Sequence, residues 1–129
     1  MGNIWTDKAK FQSWLDVELA ACEANYQLGR IPKKAMEKIR EKAKFDEKRI
    51  LEIEEEVRHD VIAFLTNLNE NIGDAGRFIH VGMTSSDVLD TGLAIQLQSS
   101  VDLLQIENNK LEKAIRALAK EHKNTVMIG

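Results

Sequence analysis

The chain has one cysteine, one proline and no glycine between Gly29 and Gly73. A lone Cys22 excludes an internal disulfide. Its place on the apolar face of an expected helix marks it as a small buried hydrophobe rather than a nucleophile, in a reduced, cytoplasmic setting. There is no basic surplus, with 18 Lys and Arg against 21 Asp and Glu for a net charge of -3, which removes the electrostatic case for nucleic acid. No apolar run approaches the roughly 20 residues of a membrane span. The first residues, Met1 to Asp7, lack the basic region and apolar stretch of a secretory signal. Repeats and low-complexity segments are missing too. His59, His80 and His122 are dispersed, and no Cys/His cluster accompanies them, so neither a metal site nor a cofactor is expected.

What is present is helical pattern. A hydrophobic fraction of 43% with 30% charge in 129 residues can build a core under a charged surface. Phe11, Leu15, Leu19, Cys22 and Tyr26 recur at spacings of four and three, the signature of one buried helical face. Thr6 or Asp7 can cap that helix, and Gly29 suits a left-handed end. Pro32 fits the first turn of a second helix bearing Ala35, Met36, Ile39 and Ala43. Asp46 reads as the cap of a third, with Ile50, Ile53 and Val57 inward, and a fourth carries Val61, Phe64, Leu65, Leu68 and Ile72. The Lys/Glu-rich stretch from Lys33 to Glu56 is a solvated face, and Trp5 and Trp14 are packing aromatics. Residues 73–83, with three glycines and no helical period, read as an ordered loop.

From Thr84 one long helix is expected to about His122, opened by the pair Thr84 and Asp87. Leu97, Leu104, Leu111 and Leu118 repeat every seven residues, with Ala94, Val101, Asn108 and Ile115 at the alternate seam position. Such a helix would extend roughly 50 Å. The four helices before it cannot cover that length, so its seam needs partners outside this chain. The expected fold is therefore all-α: a small helical domain over 1–83, including the Gly-rich loop 73–83, then 84–129 as the first long helix of a bundle, truncated at its end.

Two constellations can bind anions. Arg58, His59 and Asp60 lie at a helix junction, where Arg58 suits a phosphate or carboxylate, His59 can donate or relay a proton, and Asp60 can orient His59 or accept from a sugar hydroxyl. Spacing alone favours a plainer reading of the same three residues, a helix capped by Asp60 with two ordinary surface neighbours. Thr84, Ser85 and Ser86 put three hydroxyls at a helix start following glycine, a cradle for an anion as well as a cap.

At these same residues the chain resembles the adenylosuccinate lyase family, within the fumarase/aspartase superfamily. The matching phrases are Ile4 to Asp7, Phe11 to Glu18, Arg58 to Phe64, His80 to Thr91 and Lys120 to Gly129, which together run through essentially the whole chain. The resemblance implies the N-terminal segment of an enzyme of purine biosynthesis that cleaves adenylosuccinate to AMP and fumarate, and the ribotide SAICAR to AICAR and fumarate, by β-elimination. It implies substrate contacts from Arg58, His59 and Asp60 on the nucleotide side, a succinyl carboxylate on Thr84 and Ser85, and a phosphate-end role for His80. It also implies a homotetramer, formed through long helices. The family's Arg-Tyr pair, its acid histidine and its base serine have no counterpart in these residues. The chain alone is therefore expected to be inactive, with no catalytic residue beyond a supporting His59. A sibling superfamily lyase, or a helical interaction module without ligand, are the competing readings.

Overall fold

Helix caps and breaks divide the chain where the sequence places them. The computed structural model describes residues 1–129. A 3-10 turn at Gly2–Trp5 precedes α1 (Asp7–Gln27), α2 (Lys33–Lys42), α3 (Glu47–Val57) and α4 (Asp60–Ile72). A second 3-10 turn at Gly73–Phe78 then leads to α5 (Ser85–Glu121). No strand forms, and the fold is all-α. Thr6 caps α1 by accepting from the Ala9 amide, and Asp46 caps α3 by accepting from Lys48 and Arg49. At the end of α1, Gly29 takes a φ of +73°. Its amide donates to the Tyr26 carbonyl and the Arg30 amide to that of Asn25, the paired bonds of a Schellman stop. Pro32 sits one residue before α2 and supplies the carbonyl for its first turn.

The core lies where α1 meets α2, α3 and α4. Phe11, Trp14, Phe45 and Phe64 form its aromatic centre: Phe11 stacks on Phe64 with centroids 5.9 Å apart, and Trp14 meets both edge-on. Met36, Ile39, Ile50, Val61, Leu68 and Ile72 close around them. The buried Asn67 accepts from the Asp46 amide, and Asn71 donates to the Lys44 carbonyl, so α4 grips the α2–α3 connection. Arg49 spans from α3 to Glu70 of α4 at 2.8 Å, and this guanidinium holds the Glu70 carboxyl below its ordinary value.

Three expectations change. Val57 is exposed rather than inward, because α3 ends there and the chain turns away. Trp5 is 48% exposed, since the short turn that bears it lies at the edge of the core. Part of the Gly-rich loop is a 3-10 turn, whose Ala75 and Gly76 are buried against α4 and α2.

α5 packs along α1 through Val88, Gly92, Gln96 and Ser100, a stripe of every fourth residue. The approach is close, because a Cβ on Gly92 would lie 2.7 Å from Trp14 Cδ1 and 3.0 Å from Ser13 Oγ. Gln96 donates to the Ile4 carbonyl at 2.7 Å. Beyond Ser100 no residue of α5 is buried, and Leu104, Leu111, Ile115 and Leu118 stand more than half exposed.

Candidate functional site

The tight α3–α4 junction follows from one unusual backbone position. Arg58 takes a left-handed conformation, φ 54° and ψ 33°, and its amide closes α3 on the Glu54 carbonyl. This turn leaves the Arg58 side chain exposed, in a shallow groove with Leu51, Glu54 and Glu55, and the guanidinium forms no ion pair. His59, not Asp60, is the cap of α4: its Nδ1 faces the Ile62 amide in a long 3.4 Å contact. Asp60 is the first helical residue, and its Oδ1 accepts from the Val61 amide at 2.7 Å. His59 Nδ1 and Asp60 Oδ1 are also 3.4 Å apart. The imidazole can thus accept from the backbone while its other nitrogen remains available.

At the start of α5 the Asp87 carboxylate accepts from the Thr84 amide at 2.8 Å, the acidic half of a capping box. The Ser85 and Ser86 hydroxyls form no hydrogen bond within the chain. Donor groups and the positive end of a 37-residue helix therefore gather at one exposed place. No hydrogen bond or ion pair joins this place to Arg58, His59 and Asp60. The chain brings each constellation together internally, but does not fuse the two into one closed cavity.

His80 is tied inward from the connection before α5. It is left-handed, φ 63°, and it meets Glu18 of α1 twice: its amide donates to Oε2 at 2.9 Å and its Nδ1 lies 2.6 Å from Oε1. Glu18 is 0% exposed and the His80 side chain 21%. Burial pushes the Glu18 carboxyl above its ordinary value, with the His80 hydrogen bonds and charge opposing. Cys22, one turn further along α1, directs its thiol toward the Phe78 carbonyl at 3.6 Å. Burial, then the Glu18 charge, push this thiol up to about 11.

Glu18 is the residue that pattern reading passed over. Its signal lay in the spacing: positions 11, 15, 18 and 22 form one face, and a carboxylate there needs a buried partner. No group of three His, Cys, Asp or Glu is arranged to hold a metal ion, and no helix is long and apolar enough to cross a membrane.

A small helical cluster from which one very long helix departs is an architecture that known proteins share. The model of a family described as "Lyase" matches residues 1–129, and the chain belongs to that lyase family. Among curated relatives it is 63% identical to the adenylosuccinate lyase of a Synechocystis strain, over 100% of this chain and 30% of that protein. It is 47% identical to the adenylosuccinate lyase of Bacillus subtilis, again over 100% of this chain and 30% of the relative. The chain thus spans about 30% of the length of these relatives. A solved fumarate lyase from a Mesorhizobium species superposes with a TM-score of 0.89 at 25% identity, over 98% of this chain and 31% of that one. A 3-carboxy-cis,cis-muconate lactonizing enzyme from Pseudomonas putida gives 0.88 at 29% identity, with the same two shares.

Proposed function

We propose that this chain supplies substrate-binding residues to a lyase that cleaves adenylosuccinate to AMP and fumarate, and SAICAR to AICAR and fumarate, in purine biosynthesis. The observation that carries the reading is the start of α5, where the Ser85 and Ser86 hydroxyls form no hydrogen bond within the chain and stand at the helix N-terminus beside Thr84, whose amide is held by Asp87. A succinyl carboxylate fits there, held by hydroxyls, backbone amides and the helix dipole. In the β-elimination a base takes the proton beside that carboxylate and an acid protonates the departing nitrogen. Negative charge grows as the C–H bond breaks, and donors fixed in place support it without reorganising.

Arg58 pairs with the nucleotide's anionic groups, Asp60 accepts from a sugar hydroxyl, and His59 lends a hydrogen bond near neutral pH. His80 serves the phosphate end. The groups that move protons come from outside these 129 residues, so the chain alone binds ligand and does not turn it over. This reading divides the chain into a helical domain, 1–83, and the first helix of a central bundle, 84–129. The exposed seam of α5 pairs with equivalent helices in a homo-oligomer, a tetramer, working in the cytoplasm on small molecules without nucleic acid or cofactor.

Titrating AMP and adenylosuccinate into the chain while following backbone amides by NMR tests the assignment. Weak binding that perturbs residues 58–60 and 84–85, and that falls on Arg58→Ala and on Thr84→Ala, is the expected result. A second reading, a helical interaction module without ligand, is favoured by the same bare seam. It prevails if neither nucleotide touches these positions.

A further inference from the structure

We propose that Glu18 is the positioning residue of this site: it holds the His80 ring by Nδ1–H and turns Nε2, the ring's free nitrogen, outward, where the protonated ring donates Nε2–H to an anionic oxygen of the ligand. The inference rests on the reading of His80 as a ligand residue and adds what makes its ring competent. A backbone N–H can only donate, so one Glu18 oxygen is committed to the His80 amide at 2.9 Å. The other lies 2.6 Å from Nδ1. An ionised carboxylate accepts at both oxygens, which places the ring proton on Nδ1. Nε2 forms no hydrogen bond in the chain, yet no buried side-chain nitrogen or oxygen lacks a partner. Nε2 therefore reaches the surface.

The two bonds fix more than a tautomer. They pin backbone and ring together in a left-handed residue, from which a turn closed by the Met83 amide on the His80 carbonyl leads directly to Thr84. Ring and α5 N-terminus are thus registered against the same buried carboxylate. When the ring takes up a proton, Glu18 sits beside the imidazolium, and Nε2–H becomes a charged donor toward phosphate or carboxylate.

Side-chain 15N NMR of the His80 ring in the 129-residue chain reads the tautomer directly. In the wild-type chain near neutral pH, Nδ1 should carry the proton when the ring is neutral. In Glu18→Gln the amide oxygen must still face the His80 N–H, so the NH2 group faces Nδ1 and the proton moves to Nε2. A wild-type ring protonated at Nε2 overturns the inference, and this measurement does not depend on the variant folding. A folded Glu18→Gln chain with an unchanged tautomer overturns it as well. AMP and inorganic phosphate in one arm, and fumarate in the other, establish which anion the ring meets. The anion that moves the wild-type Nε2 signal should bind about tenfold more weakly to Glu18→Gln, whose Nε2–H is a neutral donor, the scale of the difference between a charged and a neutral hydrogen bond. Ligand shifts at residues 58–60 and 84–85 that leave the His80 ring unmoved defeat this role for the ring while sparing the site. Shifts at none of these residues defeat the site reading itself.

Discussion

Replacing Gly92 with alanine should destabilise the chain, although alanine is the better helix former. The new Cβ would stand 2.7 Å from Trp14 Cδ1, inside van der Waals contact. Trp14 has no room to retreat, being 3% exposed and packed edge-on against both Phe11 and Phe64. Overpacking of this kind costs about 1–3 kcal/mol. Glycine to alanine in a helix interior returns about 1 kcal/mol. The net loss is then roughly 1 kcal/mol and at most about 2 kcal/mol, or a fall in Tm of about 3–6 °C for each kcal/mol in a domain of this size. Thr91→Ala, at the exposed neighbouring position, gains helix propensity without the clash and should be neutral or stabilising. Urea and thermal unfolding, followed by far-UV circular dichroism and tryptophan fluorescence, measure both variants. If Gly92→Ala proves as stable as wild type, or more so, the α1–α5 contact is not set by backbone approach and the packing argument fails.

Three further outcomes follow from groups described above. Glu18 has its carboxyl raised by burial, so its contribution to stability is complete below the unfolded value of 4.5 and is lost as pH rises through the folded one. Glu18→Gln should therefore gain on wild type as pH climbs from about 4.5 to neutrality, and urea midpoints that stay parallel across that window contradict this. The Cys22 thiol, moved from 9.0 to about 11, should react with iodoacetamide at neutral pH about a hundredfold more slowly than in the unfolded chain, through loss of thiolate alone; equal rates would refute its burial. Sedimentation should show concentration-dependent association through α5, relieved by Leu104→Lys with Leu111→Lys, and a wild-type monomer at high concentration would rule the seam out.

Apolar periodicity made α1 to α4 legible, because the residues that fill this core are large and recur at helical spacing. Asp46 was legible through the capping bonds its carboxylate supplies, and Gly29 through the left-handed φ that glycine adopts without strain. The stripe that joins α5 to α1 was not. Val88, Gly92, Gln96 and Ser100 are mostly small or polar, and close backbone approach leaves little trace in hydropathy. The heptad leucines dominated the pattern instead, and they are the residues left bare. Within the candidate site the anion-friendly helix starts could be read from local sequence. The Glu18–His80 pair spans 62 positions and needed the fold to bring it together. Likewise the cap of α4 fell to His59, because the left-handed turn at Arg58 shifts the helix start by one residue.

The final 21 residues of α5, past Ser100, make it a lever arm of about 31 Å at 1.5 Å per residue. Its pivot is the contact of Gly92 with Trp14. A tilt of about 5° there, about 44 Å from the end of α5, would sweep that end by about 4 Å, more than half of one helical pitch. Alignment over the whole length of α5 is thus decided at its root, by a glycine beside a buried indole. The helix ends that would meet in the proposed assembly are aimed from the same few residues that set the start of α5 beside the proposed ligand.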